Sequence, residues 1–209
     1  MKCEHKELEL NDNGSKIKIY EVSYDLEEDL ELLNKVEEFT KLTKDTTYKR
    51  SKMGDLGHAK NILIGKLAEE AFAKLLDEFF NLKLNVNYDN KIDEGDFILN
   101  GLKVDIKSSS LKTKGKTYKL EEALSKFNFM VLRDQSRKDI IVQALYPSRE
   151  EYYKFYFSKW AYVKDVVKYS NYKTIYIKMN GGTGEYYLMP LMEGKDLENL
   201  VIEIKKNIR

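Results

Sequence analysis

The sequence predicts an α/β fold in which a strand and two helices are followed mainly by strands. Three observations support this prediction. An alternating, β-forming run at 16–24 leads into a helical pattern at 25–44, the strongest helical pattern of the chain lies at 61–80, and β-forming runs recur between 82 and 146. The chain has 209 residues and only 2 prolines, so we expect a single domain with one sizeable core and no stiff linker.

The first part of the chain is predicted as a strand and two helices. KIKIYEVSY (16–24) alternates between apolar and polar residues, as a half-buried strand does, and Asp25 can cap the amphipathic helix 25–44. NILIGKLAEEAFAKLLDEFF (61–80) is the second helix. The segment between them, 45–60, contains glycines and basic residues and is predicted as an exposed loop.

The remainder is predicted to be mainly strands. β-forming runs bounded by turn residues occur at 82–88, 96–99, 102–107, 127–133 and 139–146, with a short helix at 120–126. Beyond Pro147, the pattern predicts residues 148–170 as helical in parts, then a hairpin around GGTG (181–184) and a final helix in DLENLVIEIKKN (196–207).

The composition excludes several classes of protein. The formal net charge is only +1, so affinity for a polyanion would have to come from local clusters of charge. A single cysteine and two histidines exclude a disulfide framework and a zinc site built on these residues. The N-terminus lacks the apolar core of a signal peptide, and no run of about 18 apolar residues occurs, so we expect a cytoplasmic protein without membrane association.

The stretch EGDFILNGLKVDIKSSS (94–110) predicts a hairpin that brings two carboxylates together. Asn100-Gly101 is the turn signal, because both central positions of such a turn need a positive φ. The resulting register places Asp96 opposite Asp105, with Lys107 on the same face. The apolar residues fall on the other face: Phe97, Leu99, Leu102, Val104 and Ile106.

Two carboxylates directly opposite each other on a sheet repel, so their presence needs an explanation. Their Cβ atoms would lie only about 4.5–5.5 Å apart, and like charges at that spacing destabilise a sheet. A divalent cation such as Mg²⁺, which binds one or two carboxylates together with water and phosphate, would remove the repulsion. Lys107 could then orient or activate a water molecule that attacks a bound phosphate. The alternative is a surface face with solvated charges.

The helix 61–80 presents a further carboxylate towards the fold. At about 100° per residue, Glu69 falls at the edge of the buried stripe, in a row with Gly65 and Ala73, whereas Glu70 and Lys66 point to solvent. A carboxylate at a core boundary is costly unless it is paired or liganded. The alternative is a helical ion pair with Lys66. The predicted stripe consists of Ile64, Ala68, Ala71, Phe72, Leu75 and Phe79.

GKLAEEAFAKLL, GDFIL and VDIK, in this order, resemble the PD-(D/E)XK nuclease superfamily over residues 61–146. The proline that usually precedes the first aspartate of that family is Gly95 here. The resemblance implies a restriction-endonuclease-like core with a central mixed sheet flanked by helices. Residues 1–60 and 147–209 would then be N- and C-terminal extensions of this catalytic core.

The resemblance also implies a role for each residue of the predicted site. Asp96, Asp105 and Glu69 would be catalytic carboxylates that bind the metal, the backbone carbonyl of Ile106 would be a further ligand, and Lys107 would be the catalytic lysine. The implied cofactor is Mg²⁺, for which Mn²⁺ can substitute.

A lysine-rich segment follows the predicted site directly. KSSSLKTKGKTYK (107–119) has no acidic residue, and Lys112, Lys114, Lys116 and Lys119 could bind a DNA backbone. The alternative is a flexible, solvated loop. The apolar helix LENLVIEI (197–204) could either dock on the core or pair with a second copy, so a homodimer stays open.

The sequence therefore predicts a Mg²⁺-dependent DNA endonuclease, with a restriction-type role as the first expectation. One alternative is a structure-specific repair or junction nuclease. The other is a catalytically inactive, nuclease-like module that binds DNA or another protein.

Overall fold

The computed structural model describes residues 1–9, 16–47, 55–88, 96–113, 115–135, 137–179 and 182–206. Within these residues the helices are α1 (Leu30–Thr47), α2 (Asp55–Phe80), α3 (Leu120–Lys126), α4 (Val163–Tyr169) and α5 (Leu197–Lys206). The strands are β1 (Lys2–Glu9), β2 (Lys16–Ser23), β3 (Phe97–Leu99), β4 (Leu102–Ser110), β5 (Lys112–Thr113), β6 (Lys116–Thr117), β7 (Asn128–Leu132), β8 (Ile140–Tyr146), β9 (Lys154–Tyr162), β10 (Ile175–Met179), β11 (Gly182–Pro190) and β12 (Lys195–Asp196). None of the described helices has a stretch long and apolar enough to cross a membrane.

The centre of the molecule is a mixed sheet with the strand order β1-β2-β9-β8-β4-β3, and β12 pairs with β9. β4 and β8 are parallel, whereas the other neighbours in this sheet are antiparallel. One face packs against α2 and α5, and the other packs against α3, α4 and a second sheet of order β10-β11-β7. The prediction of an α/β fold with a central mixed sheet flanked by helices is confirmed.

Helix α2 packs across the sheet through the apolar stripe that its sequence predicts. Phe72 lies at the centre of this contact, with ring centroids 5.9 Å from Phe97 and 5.6 Å from Phe157. Ala68 and Ala71 are fully buried and let the helix approach the strands closely. Phe79 is only partly buried, at the end of the stripe.

The hairpin of β3 and β4 has the predicted turn and register. Asn100 and Gly101 have φ values of 50° and 81°, which are the positive values that this two-residue turn requires. Leu99 pairs with Leu102 and Phe97 with Val104. The apolar face of the hairpin therefore lies on α2, which fixes the position of the strands that carry the predicted aspartates.

The prediction of a strand at 82–88 is wrong, although the alternation behind it is real. No residue of this segment is in a strand, yet Leu82, Leu84, Val86 and Tyr88 pack against the core. Lys83, Asn85 and Asn87 face solvent between them. Alternation reports that one side of an extended segment is buried, and backbone pairing is a separate requirement that this segment does not meet.

The predicted helical content of 148–170 is only partly right, because most of it is the strand β9 followed by the short helix α4. β9 lies inside the sheet and is buried on both faces, so its sequence KFYFSKWAY lacks the alternation of a half-buried strand.

At the N-terminus, β1 was not predicted. It is an edge strand whose many charged residues are largely exposed.

Two helix boundaries also differ from the prediction. α1 begins at Leu30 rather than at residue 25, because residues 25–29 form a turn in which the backbone N–H of Asp25 donates to Asp29. α2 begins at Asp55, so residues 55–60 are helical and not part of an exposed loop. Residues 48–54 of that predicted loop lie outside the described residues.

Candidate functional site

Asp96 lies at the open end of the hairpin and is bound to the backbone of β4. Its N–H donates to the carbonyl of Val104 at 2.9 Å, and its Oδ2 accepts from the N–H of Ile106 at 2.6 Å. Counted from the turn, the paired residues of β3 and β4 end at Phe97 and Val104, one position before Asp96 and Asp105. Asp96 therefore lies beside Asp105 as predicted, but its carboxylate, rather than a continuing strand, occupies the next pairing position.

The backbone of Ile106 faces this same opening. In an extended strand the N–H and C=O of one residue point to the same side, and the N–H of Ile106 points to Asp96. Its carbonyl is thus directed past the end of β3. This direction is compatible with the ligand role that the resemblance implies for the Ile106 carbonyl.

Asp105 is a buried aspartate in contact with two lysines. It is only 8% exposed, so the alternative of a solvated surface charge does not hold for it. Lys107 Nζ lies 2.7 Å from Asp105 Oδ2, and Lys138 Nζ lies 3.7 Å from Asp105 Oδ1. The parallel pairing of β4 with β8 brings Lys138, just before β8, to this position.

Glu69 lies at the buried edge of α2, as predicted, and it also forms the ion pair with Lys66 that was the alternative. It is 7% exposed, and its Oε2 lies 2.5 Å from Lys66 Nζ. The prediction that Lys66 points to solvent is wrong, because its exposure is only 9%. The extended segment that follows α2 covers it, and Lys66 Nζ also donates to the carbonyl of Asn87 at 2.9 Å.

Two of these carboxyl groups have raised pKa values. Burial, followed by the neighbouring Asp96, raises the pKa of Glu69 to about 8, although Lys66 acts in the opposite direction. Burial, followed by Asp105, raises the pKa of Asp96 to about 6. Burial alone would lower the pKa of Lys107, but Asp105 and Asp96 outweigh it and raise that pKa, so Lys107 is an ammonium at neutral pH.

The three carboxylates form a row around the end of β3. Glu69 reaches it from α2 on one face of the sheet, whereas Asp105 alternates with the α2-facing residues Val104 and Ile106 and therefore points to the other face. Asp96 lies between them and affects the pKa of Glu69 more than Asp105 does. Among the described residues, no three His, Cys, Asp or Glu side chains are arranged to hold a metal ion by themselves.

Gln143 fixes the backbone next to the site from the neighbouring strand. It is 4% exposed, and its Nε2 donates to the carbonyl of Lys107 at 2.8 Å and to that of Ala144 at 3.1 Å. A register shift between β8 and β9 lies at this residue, between Val142 and Ala144. Gln143 thereby donates to backbone carbonyls beside the interruption of the β8–β9 ladder.

A cleft of about 350 Å³ begins at Asp96 and runs between the segment after α2 and the edge strand β3. Its walls are mainly polar, and part of its lining is backbone that no strand covers. The lining residues are Lys83, Leu84, Asn85, Asn87, Asp96, Phe97 and Ile98. The cleft therefore reaches the carboxylate row at Asp96, the one member of the row among its lining residues.

The lysine-rich segment beyond β4 is a short hairpin of β5 and β6, with Gly115 at a φ of +78°. Lys112, Lys116 and Lys119 are exposed. Lys112 Nζ lies 3.7 Å from Glu150, whereas Lys116 Nζ lies 2.8 Å from Glu122. Lys114 lies outside the described residues. The described part of the segment is thus an exposed hairpin, and its role in DNA binding stays a prediction.

Lys66 and Lys138 are members of the site that the sequence did not predict. For Lys66 the available signal is its spacing of three from Glu69, which by itself indicates only a helical ion pair. Lys138 gives no local signal, because only the parallel pairing of β4 with β8 brings it to Asp105.

Comparison of this chain with protein-family models, with curated proteins and with solved structures gives no match.

Proposed function

We propose that this chain is a Mg²⁺-dependent DNA endonuclease with a restriction-endonuclease-like core of the PD-(D/E)XK type, and that a restriction-type role is its first expected function. The observation that carries the proposal is the row of Glu69, Asp96 and Asp105 with Lys107 at one end of the hairpin, in which Glu69 and Asp105 are only 7% and 8% exposed. Burying like charges together costs stability, so a protein is expected to keep them only where they serve a function. Carboxyl groups with strongly shifted pKa values cluster at functional sites.

The residues present fit a hard divalent cation. The donors are carboxylate and carbonyl oxygens, which Mg²⁺ and Mn²⁺ prefer. Asp96, Asp105 and the Ile106 carbonyl would hold the ion, and a cation there would favour the charged form of Asp96, whose pKa burial and Asp105 raise to about 6. The role of Glu69 as a direct ligand stays a prediction from the resemblance.

The ion would supply charge stabilisation of the phosphodiester and a lowered pKa of a bound water. The contribution of Lys107 follows from its protonation state. As an ammonium it donates hydrogen bonds and balances the charge that develops on the scissile phosphate, and it orients the attacking water rather than accepting its proton. Gln143 holds the backbone of Lys107 in place.

The cleft beside Asp96 is the path that we assign to the DNA strand. Lys83 can contact a phosphate, and the amides of Asn85 and Asn87 can donate to or accept from a nucleotide. Lys112, Lys116 and Lys119, with Lys114, would bind the backbone further from the cut, since exposed lysines bind phosphates without regard to sequence.

The test is cleavage of supercoiled, linear and branched DNA with Mg²⁺ or Mn²⁺ by the wild-type chain, Asp105→Ala and Lys107→Ala. Lys74→Ala is the matched control, because Lys74 lies on α2 in an exposed ion pair with Glu78. We expect metal-dependent cutting by the wild type and the control, and its loss in the other two. Cutting of branched DNA alone would favour the structure-specific repair or junction nuclease.

One observation favours the binding module as the second candidate. Among the described residues, lysines already contact both ends of the row, Lys66 at Glu69 and Lys107 with Lys138 at Asp105. Carboxyl groups with cationic partners can persist without a metal ion. DNA binding that survives Asp105→Ala, together with no cutting of any substrate by the wild type, would select this alternative.

A further inference from the structure

Lys66 is a buried cation whose contacts hold it in one place. Its Nζ lies 2.5 Å from Glu69 Oε2 and 2.9 Å from the carbonyl of Asn87. The same ammonium lies 4.9 Å from the ring centroid of Phe39 and 5.4 Å from that of Tyr88. Three separate parts of the chain, α1, α2 and the segment after α2, therefore build a pocket for one positive charge.

This pocket lies at one end of the carboxylate row. Glu69 is the member of the row that faces Lys66, whereas Asp105 faces Lys107 at the other end. Asp96 lies between them, and its carboxylate accepts from the Ile106 backbone. The end of the row that offers Asp96, Asp105 and the Ile106 carbonyl is thus the end where an additional cation would leave Lys66 in place. It would share Asp105 with Lys107, whose side chain is 35% exposed and can turn towards solvent, and with Lys138, which lies 3.7 Å away.

We infer that Lys66 takes the place of a second divalent ion at Glu69, so that the site binds one divalent ion, on Asp96 and Asp105. The inference rests on the proposed metal site. Glu69 then serves as the partner of a built-in cation and contributes to the field of the site, rather than as a ligand.

Charge and geometry both support a single ion. Three lysines already contact the two ends of the row among the described residues, so one divalent ion makes the site positive enough to receive a phosphodiester. A second ion at Glu69 would have to displace Lys66 from its hydrogen bonds to Glu69 and Asn87 or lie against its ammonium, and a buried site resists such an excess of positive charge.

The experiment counts bound Mn²⁺ by electron paramagnetic resonance and by isothermal titration calorimetry, without DNA. The variants are Lys66→Met, which keeps an unbranched side chain of nearly the same length and removes the charge, and Lys74→Met as the control on the same helix. We expect one Mn²⁺ per chain in the wild type and in Lys74→Met, and a second Mn²⁺ in Lys66→Met. Two Mn²⁺ in the wild type, or one in a folded Lys66→Met, would overturn the inference.

Glu69→Gln keeps the inference testable if Lys66→Met does not fold. The amide is isosteric and can still accept from Lys66, so we expect one Mn²⁺ per chain with an affinity within about twofold of the wild type. Loss of the ion, or an affinity at least about tenfold weaker, would make Glu69 a direct ligand and overturn the inference.

These outcomes separate the inference from the proposed function. One Mn²⁺ per chain with no cutting of any DNA would contradict the nuclease function and support the role of Lys66. Cutting with two Mn²⁺ per chain would support the nuclease function and contradict the role of Lys66. No Mn²⁺ binding by the wild type would overturn the inference together with the metal dependence of the proposed nuclease.

Discussion

Helix α2 carries two lysine–glutamate pairs in different environments. Lys66 and Glu69 lie 2.5 Å apart with side chains 10% and 9% exposed, whereas Lys74 and Glu78 lie 2.9 Å apart with side chains 33% and 51% exposed. Lys74 lowers the pKa of Glu78, as an ion pair normally does. The pKa of Glu69 is instead raised to about 8, by burial and then by Asp96.

The difference teaches that an ion pair is not a fixed contribution to a fold. Both pairs combine the same residue types on one helix, so burial and the neighbouring carboxylates decide the sign of the effect on the glutamate. The exposed pair needs no explanation beyond the helix surface. The buried pair lies where the charges work against stability, which is the property that is typical of a functional site.

The largest expected effect is on cleavage, in Asp105→Asn. The amide keeps the shape of the side chain but loses the charge that the divalent ion and Lys107 both require, so we expect the rate of DNA cleavage to fall by about 10³-fold, or about 4 kcal/mol. Glu78→Gln removes an exposed carboxylate from the same domain and should leave the rate unchanged. The measurement is single-turnover cleavage with saturating Mg²⁺.

Circular dichroism and thermal unfolding of Asp105→Asn control for loss of structure. A folded Asp105→Asn that cuts within about threefold of the wild type would remove this aspartate from the metal site.

The second effect is on stability, in Lys66→Met. Removing one partner of a buried pair leaves the other charge uncompensated, so the free energy of unfolding should fall by about 2–3 kcal/mol at pH 8. The loss should be smaller at pH 6, because Glu69, whose pKa burial and Asp96 raise to about 8, is already protonated there and leaves no uncompensated charge. Urea unfolding at both pH values measures this effect.

Lys74→Met is the matched variant for this comparison, since its partner is exposed on the same helix. A loss of stability in Lys74→Met equal to that in Lys66→Met would mean that burial does not distinguish the two pairs.

The third effect is the pH dependence of stability without metal. Glu69 has an ordinary pKa of 4.5 in the unfolded chain and about 8 in the folded chain, so the folded state holds a proton between these values that the unfolded state releases. Its contribution to stability is complete below 4.5 and is lost as the pH rises through 8. Asp96, with a folded pKa of about 6, acts in the same direction at lower pH.

The test compares the wild type with Glu69→Gln by urea unfolding in a chelator. We expect the wild type to lose about 2 kcal/mol between pH 6 and pH 8.5, and Glu69→Gln to lose much less over that range. Glu78→Gln should retain the wild-type slope. An equal slope in the wild type and Glu69→Gln would assign the pH dependence to other groups.

The sequence predicted the parts of the site that depend on local rules. Asn100-Gly101 sets the turn and the register of the hairpin, so the positions of Asp96 and Asp105 follow from neighbouring residues alone. The burial of Glu69 follows from the phase of α2, because one long apolar stripe fixes the rotation of a helix.

The parts that it could not predict depend on contacts between distant segments. Lys66 is buried because Phe39 and the segment up to Tyr88 cover it, and nothing within α2 encodes that cover. Lys138 reaches Asp105 through a parallel strand pair, which connects residues far apart in sequence. β9 was missed because a strand buried on both faces loses its alternation.

The smallest expected effect concerns the exposed lysines of the β5–β6 hairpin, and it asks whether exposed pairs all behave like Lys74 and Glu78. Lys112 Nζ is 3.7 Å from Glu150, whereas Lys116 Nζ is 2.8 Å from Glu122 and 4.4 Å from the ring centroid of Tyr118. A phosphate can recruit Lys112 without breaking a close pair. It must compete with Glu122 for Lys116.

Lys112→Ala should therefore weaken DNA binding by about two- to fivefold and reduce the slope of log affinity against log salt by about one, while Lys116→Ala should change both less. Fluorescence anisotropy with a short duplex in a chelator, over a range of salt concentrations, measures both quantities without cleavage. Equal losses in the two variants would mean that DNA displaces a close exposed pair as easily as a loose one. The different behaviour of the two pairs on α2 would then result from the burial of Lys66 and Glu69 alone, and not from the distance between the partners.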